Sequence, residues 1–150
     1  IKKDRKAKVD LSVKKILQEE EIFGIKKFET YKKFGEKVYE IRENVIANIK
    51  KLKKQNKRII GFGAPAKATT ALNFFGIKYE IDFIVEDNKL KHDKFVPGVK
   101  ISIKSKSQIK DKNNILLVLA WNFYKFIKEN NSNLSKQFIN IKDLETSNLK

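Results

Sequence analysis

The chain has 150 residues, 41% of them hydrophobic, which suits one domain with one core, and no apolar run approaches the ~20 residues that a membrane span needs. It has no cysteine, which excludes disulfides and thiolate zinc sites and leaves the redox compartment open. The formal charge of +16 points first to nucleic acid, yet almost all of it is lysine, with arginine only at Arg5, Arg42 and Arg58. Specific DNA readers favour arginine for its bidentate fork, and no helix-turn-helix, RNA-recognition or zinc-finger signature occurs. Lysine, asparagine and isoleucine run high together, as an AT-rich genome produces. The charge therefore reads as a solvated, compositionally biased surface, then as attraction to anionic substrates, with nucleic acid the least favoured partner.

Ile1-Lys2-Lys3-Asp4-Arg5 has no apolar stretch behind it, so no secretory signal is expected and a cytoplasmic location is. The first helix is expected over Asp10–Phe23. Asp10 or Ser12 caps it, Val13, Ile16, Leu17 and Ile22 recur at helical spacing, and Gly24 ends it. A longer amphipathic helix follows from about Lys27 to Gln55, where Phe28, Tyr31, Phe34, Val38, Ile41, Val45, Ile49 and Leu52 step by threes and fours. This stripe reads as packing on a sheet, with a coiled-coil or inter-domain role as the alternative. Gly35 inside it suggests a kink or close packing. Residues 1–56 thus form a helical segment.

After Lys57 the rhythm changes to short strands and helices, giving a second domain over 57–150. Strands are expected at Arg58–Phe62, Ile81–Val85, Val99–Ile103, Ile115–Leu119 and Gln137–Ile141. Helices are expected at Pro65–Phe75 and Phe123–Asn130, with a short turn at Lys106–Ile109. Apolar strands interleaved with helices predict an α/β, Rossmann-like, three-layer domain with a mostly parallel sheet, preceded by one or two helices.

In such a sheet ligands bind beyond the carboxyl ends of the strands. The most informative stretch is Arg58–Phe75, RIIGFGAPAKATTALNFF. A short apolar run ends in Gly61-Phe62-Gly63-Ala64, and Pro65 opens a helix carrying Lys67. Glycines let the backbone turn tightly and approach a ligand, and proline suits a first helical turn. The helix start offers unpaired N–H groups to a phosphate, and Lys67 adds a full charge. Gly61, Gly63, Ala64 and Lys67 are therefore candidate nucleotide contacts, against the alternative that the glycines serve turn geometry alone. The stretch is neither G-x-G-x-x-G nor a P-loop, so hydride transfer and ATP hydrolysis have little support.

The second strand ends in Glu86-Asp87-Asn88, where an acidic residue can hold a ribose hydroxyl or merely form a turn. Lys89, Lys91 and His92 follow and could contact a diphosphate, and Pro97-Gly98 closes the loop. His92, the single histidine, reads as a solvated loop residue. The fourth strand ends in Ala120-Trp121-Asn122. Trp121 could stack on a base or sugar and Asn122 could hydrogen-bond it; otherwise Trp121 packs over the sheet edge and Asn122 caps the next helix.

GFGAPAKATTALNFFGI, IDFIVEDNKLKHDKFVPGVKISI and ILLVLAWNF, in that order, resemble the C-terminal domain of SAM-dependent sugar C-methyltransferases, which act on nucleotide-linked deoxysugars. The family's pattern is roughly G-[YF]-G-A-x-A-K, then L-N-[YF], then D-x-N-x-x-K with P-G following, and finally W-N. The chain departs from it at Glu86, where the pattern has Asp; Asn88, Lys91, Pro97 and Gly98 match. The resemblance runs from about Val9 almost to the end, and it implies acceptor binding, with Gly63, Ala64 and Lys67 near the diphosphate and Asn88 and Trp121 lining the cleft. It also implies that SAM and zinc belong to N-terminal domains that this chain lacks, that the methyltransferase domain is its partner, and that the chain is a fragment or detached copy, inactive alone and binding no cofactor itself. Two other readings stand beside it: a self-standing nucleotide-binding or regulatory module, and a basic adaptor for nucleic acid or an acidic protein.

Overall fold

The computed structural model describes residues 9–147. The lysine-rich first eight residues, on which the signal-segment reading rests, and the last three lie outside them. The chain divides into two compact units, Ile1–Tyr39 and Glu40–Lys150, with the boundary inside a long helix rather than at its end.

In the first unit, helix α1 (Leu11–Phe23) starts where the Asp10 carboxylate accepts from the Ser12 N–H at 2.7 Å. It stops at Gly24, whose left-handed φ of 81° lets its N–H reach back to the carbonyls of Glu20 and Glu21. Thr30 Oγ1 donates to the Gly24 carbonyl and fixes the entry to helix α2 (Phe28–Lys53). α1 buries none of its side chains, and Leu11, Ile22, Phe23 and Phe28 are exposed.

α2 is unbroken through Gly35, and a Cβ placed there would meet nothing within 4 Å, so close packing among the described residues is not the reason for that glycine. Gly35→Ala is accordingly expected to stabilise the helix by about 0.5–1 kcal/mol. Circular dichroism during thermal unfolding checks this, and an unchanged or lower midpoint would contradict it.

In the second unit a five-stranded sheet runs β3-β2-β1-β4-β5, every pairing parallel. Its strands are β1 (Arg58–Phe62), β2 (Ile84–Val85), β3 (Ile103–Lys104), β4 (Asn114–Val118) and β5 (Gln137–Asn140). The central strands are apolar on both faces, as a doubly covered sheet requires. Ile59, Ile115 and Leu117 face the layer formed by the end of α2 (Val45, Ile49, Leu52) and by α3 (Ala66–Phe75; Leu72, Phe75). Ile60, Phe62, Leu116 and Val118 face Ile127 of α4 (Tyr124–Asn130). This is the expected three-layer architecture with preceding helices.

Two strands are shorter than the apolar runs suggest. Most of Val99–Ile103 belongs to a tight turn in which Val96 N–H donates to Ile101 O and Lys100 N–H to Val96 O, with Lys100 at φ 57°. Val96, Val99 and Ile101 are buried because this loop packs on the core, not because they lie in a ladder. Only the end of Ile81–Val85 joins the ladder as β2. Among the described residues no helix is long and apolar enough to cross a membrane.

Candidate functional site

The strand order reverses direction of travel between β1 and β4, so their carboxyl ends form the switch-point crevice where ligands of open α/β sheets sit. Two loops meet there, Gly63–Pro65 after β1 and Leu119–Asn122 after β4. Gly63 lets them approach. Its φ is 86°, and a Cβ on it would lie 2.9 Å from that of Ala120. α3 begins at Ala66, one residue later than expected, with Pro65 as its N-cap in extended backbone and no side-chain cap.

Lys67, in the first turn of α3, places its Nζ 4.2 Å from the centre of the Trp121 ring. Such a contact stabilises by roughly 0.5–1 kcal/mol at a partly exposed site. It brings together two candidates far apart in sequence and holds an ammonium at the mouth of the crevice. Trp121 also packs against the core beneath. Asn122 is exposed in the 3-10 turn Trp121–Phe123 and does not cap α4, which has no side-chain cap.

Gly61 lies within β1, away from the turn itself. A Cβ there would meet Ile84 Cγ1 at 2.7 Å and Leu119 Cδ1 at 3.0 Å, so its place is set by packing. From Gly63 to Pro65 every backbone donor has a partner, as does that of Gly61 within the strand. Gly61 N–H goes to Phe83 O, Gly63 N–H to Val85 O, and Ala64 N–H to Glu86 Oε2 at 2.9 Å, while Pro65 has none.

Glu86 is thus the anion at the glycine turn. Its other oxygen accepts from the Asp87 and Asn88 N–H groups at 2.9 and 3.2 Å. Lys91 Nζ lies 3.3 Å from Oε2 and donates to the Ala64 carbonyl at 3.0 Å. Partial burial favours the neutral acid, but the Ala64 and Asn88 amides and the Lys91 charge outweigh it, so the Glu86 carboxyl titrates below its ordinary range. His92 Nε2 bonds the Glu86 carbonyl at 2.7 Å and is therefore part of the loop's framework, not a free solvated side chain. Asn88 Oδ1 accepts from Leu90 N–H and caps the 3-10 turn Lys89–Lys91.

The remaining motif residues form a second clamp. Asn73 donates to Thr69 O and Pro97 O at 2.8 and 2.9 Å, and Gly98, at φ 82°, leaves room for its amide. Sequence reasoning missed the roles of Glu86, Lys91 and Asn73. The available signal was the carboxylate followed five residues later by a lysine, just after a strand that neighbours the glycine turn.

Comparison with known proteins adds two findings. The family described as C-methyltransferase C-terminal domain matches residues 1–140. The chain is 31% identical over 121 residues to C-methyltransferase NovU of Streptomyces niveus, a match covering 79% of this chain and 29% of that protein. The chain therefore corresponds to under a third of the length of that relative.

Proposed function

The chain belongs to the C-methyltransferase C-terminal domain family, and we propose that it binds the acceptor, a nucleotide-linked deoxysugar, for a SAM-dependent C-methyltransferase. The observation that carries this reading is the Lys67 ammonium held over Trp121 at the switch point between β1 and β4. A nucleoside diphosphate offers two features this pair can meet. Lys67 supplies charge to the diphosphate, and the indole edge supplies an apolar wall to the base or sugar. Gly63 and Ala64 shape the floor of the crevice, and Asn122 stands exposed at its rim as a hydrogen-bonding group. Asn88 and Gly61 act through the loop and the sheet.

In this reading the methyltransferase portion of the protein is the partner, and SAM, which supplies the methyl group, binds there. Zinc is assigned to that portion as well. The chain has no cysteine, and among the described residues no three His, Asp or Glu side chains converge into a metal site. The chain's own task is to hold the nucleotide end of the acceptor so that its sugar can be presented to the catalytic portion.

Trp121 is the single tryptophan, so its emission reports directly on the crevice. Titration with dTDP or UDP is expected to change that emission, while SAM leaves it unchanged. Lys67→Ala is expected to weaken diphosphate binding about tenfold, the scale of one charge-assisted hydrogen bond. Equal affinity in wild type and variant, or a response to SAM alone, would refute the assignment. Binding that collapses with salt yet ignores Lys67 would favour the basic adaptor instead.

A further inference from the structure

We propose that Glu86 is a built-in anion that closes the glycine turn to phosphate, so that a bound diphosphate is met by Lys67 and not by the turn's amides. Closure follows from geometry alone; the redirection to Lys67 rests on the acceptor-binding reading above.

A glycine turn between a strand and a helix binds phosphate when its N–H groups point outward and lack partners. Here none is free from Gly63 to Pro65. Gly63 donates to Val85 O, Ala64 donates to Glu86 Oε2, and Pro65 has no N–H. The Ala64 bond is charge-assisted, and its acceptor is itself held by two further amides and by Lys91. Lys91 also donates to the Ala64 carbonyl. One ion pair therefore grips both polar groups of a single residue, N–H and C=O, and fixes the turn before any ligand arrives.

The Glu86 side chain is only 14% exposed, so an incoming phosphate cannot share the amide with it. The phosphate would have to displace a carboxylate that has four donors, and like charges at that distance repel. Glu86 and Lys91 are thus positioning residues: they act on the ligand through the turn they hold. Among the described residues Lys67 has no such commitment to a carboxylate, and its ammonium is held over the indole of Trp121.

Amide-resolved NMR on the labelled chain tests this, with inorganic pyrophosphate as the probe. In wild type the Ala64 amide is expected to exchange slowly with solvent and to stay unmoved by pyrophosphate. In Glu86→Ala it is expected to exchange about tenfold faster, the scale of a lost charge-assisted bond, and to shift on adding pyrophosphate. Glu86→Gln preserves the side-chain shape should the alanine variant fail to fold, and it too is expected to exchange faster than wild type. A wild-type Ala64 amide that shifts with pyrophosphate overturns the proposal. So does exchange that is no faster in either variant. Accelerated exchange with no pyrophosphate response in any protein would keep the clamp and remove the acceptor-binding reading, so the two fail separately.

Discussion

Gly63→Ala is expected to destabilise the α/β unit by about 3 kcal/mol, read as a lower urea midpoint with an unchanged slope. Two separate costs add. The backbone at Gly63 has φ 86°, where a residue with a side chain is strained by of order 1–3 kcal/mol. The new methyl would also lie 2.9 Å from Ala120 Cβ, itself fixed on a short loop between β4 and the Trp121 turn, so neither side can yield by a rotamer change. Relief requires the two loops to separate, and that widens the crevice in which Lys67 meets Trp121. The variant should therefore alter Trp121 emission even where it remains folded. Gly61→Ala is the control. Its backbone is ordinary strand, so the conformational cost is absent and only crowding against the buried Ile84 Cγ1 and Leu119 Cδ1, at 2.7 and 3.0 Å, remains. Its cost should be smaller, about 1–2 kcal/mol, with little change in emission. A Gly63→Ala protein as stable as Gly61→Ala would contradict the view that Gly63 sets the spacing of the two loops.

That comparison also marks what could be read from residues alone. Gly61 and Gly63 look alike in sequence, two glycines one residue apart, yet one serves packing inside a strand and the other serves a left-handed turn. The difference arises from Ile84, Leu119 and Ala120, which only the sheet brings near. β1 and β4 are legible because each runs five residues, all buried except Arg58, on both faces of the sheet. The apolar runs overstate β2 and β3 because loops that pack on a core carry the same runs as strands, as Val96, Val99 and Ile101 do. Among the candidate site residues, the Lys67–Trp121 pairing depends on β1 and β4 being neighbours, and no local pattern encodes that. In sequence Glu86 reads as a ribose contact or a turn former. One of its partners, the Ala64 amide, follows the neighbouring strand β1, so the longer reach of Glu shows its use only in three dimensions.

The second large effect concerns the long helix. Asn48→Asp is expected to destabilise the α/β unit by about 3 kcal/mol near neutral pH, and the deficit should shrink as the pH falls. Asn48 is 1% exposed, on the face of α2 that also carries the buried Val45, Ile49 and Leu52. Its Nδ2 donates to the carbonyls of Leu144 and Thr146 at 3.0 and 2.8 Å, binding the C-terminal 3-10 turn Ile141–Glu145 to the helix. Asn44 repeats the contact one turn earlier, donating to Glu145 O at 3.0 Å. An aspartate removes both Asn48 donors and sets a carboxylate against two carbonyl oxygens in a buried place, the arrangement that costs most. Burial without a donor raises the pKa of the new acid in the folded chain above its unfolded value of about 3.9. The sign follows from linkage. Above the folded pKa the charge must be buried and the full deficit holds; as pH falls through that value the folded chain takes up the proton first, and the deficit decreases until about pH 4. The neutral acid can then donate one hydrogen bond to a carbonyl, so part of the Asn48 contact returns. Asn48→Ala separates the two contributions, since it loses the same donors without adding charge. Its deficit, about 2 kcal/mol, should not vary with pH relative to wild type. Urea unfolding of the three proteins between about pH 4 and pH 7 decides the matter. If the Asp and Ala deficits run parallel across that range, Asn48 is not enclosed as described, and the last turns of α2 do not hold the C-terminal turn through this side chain.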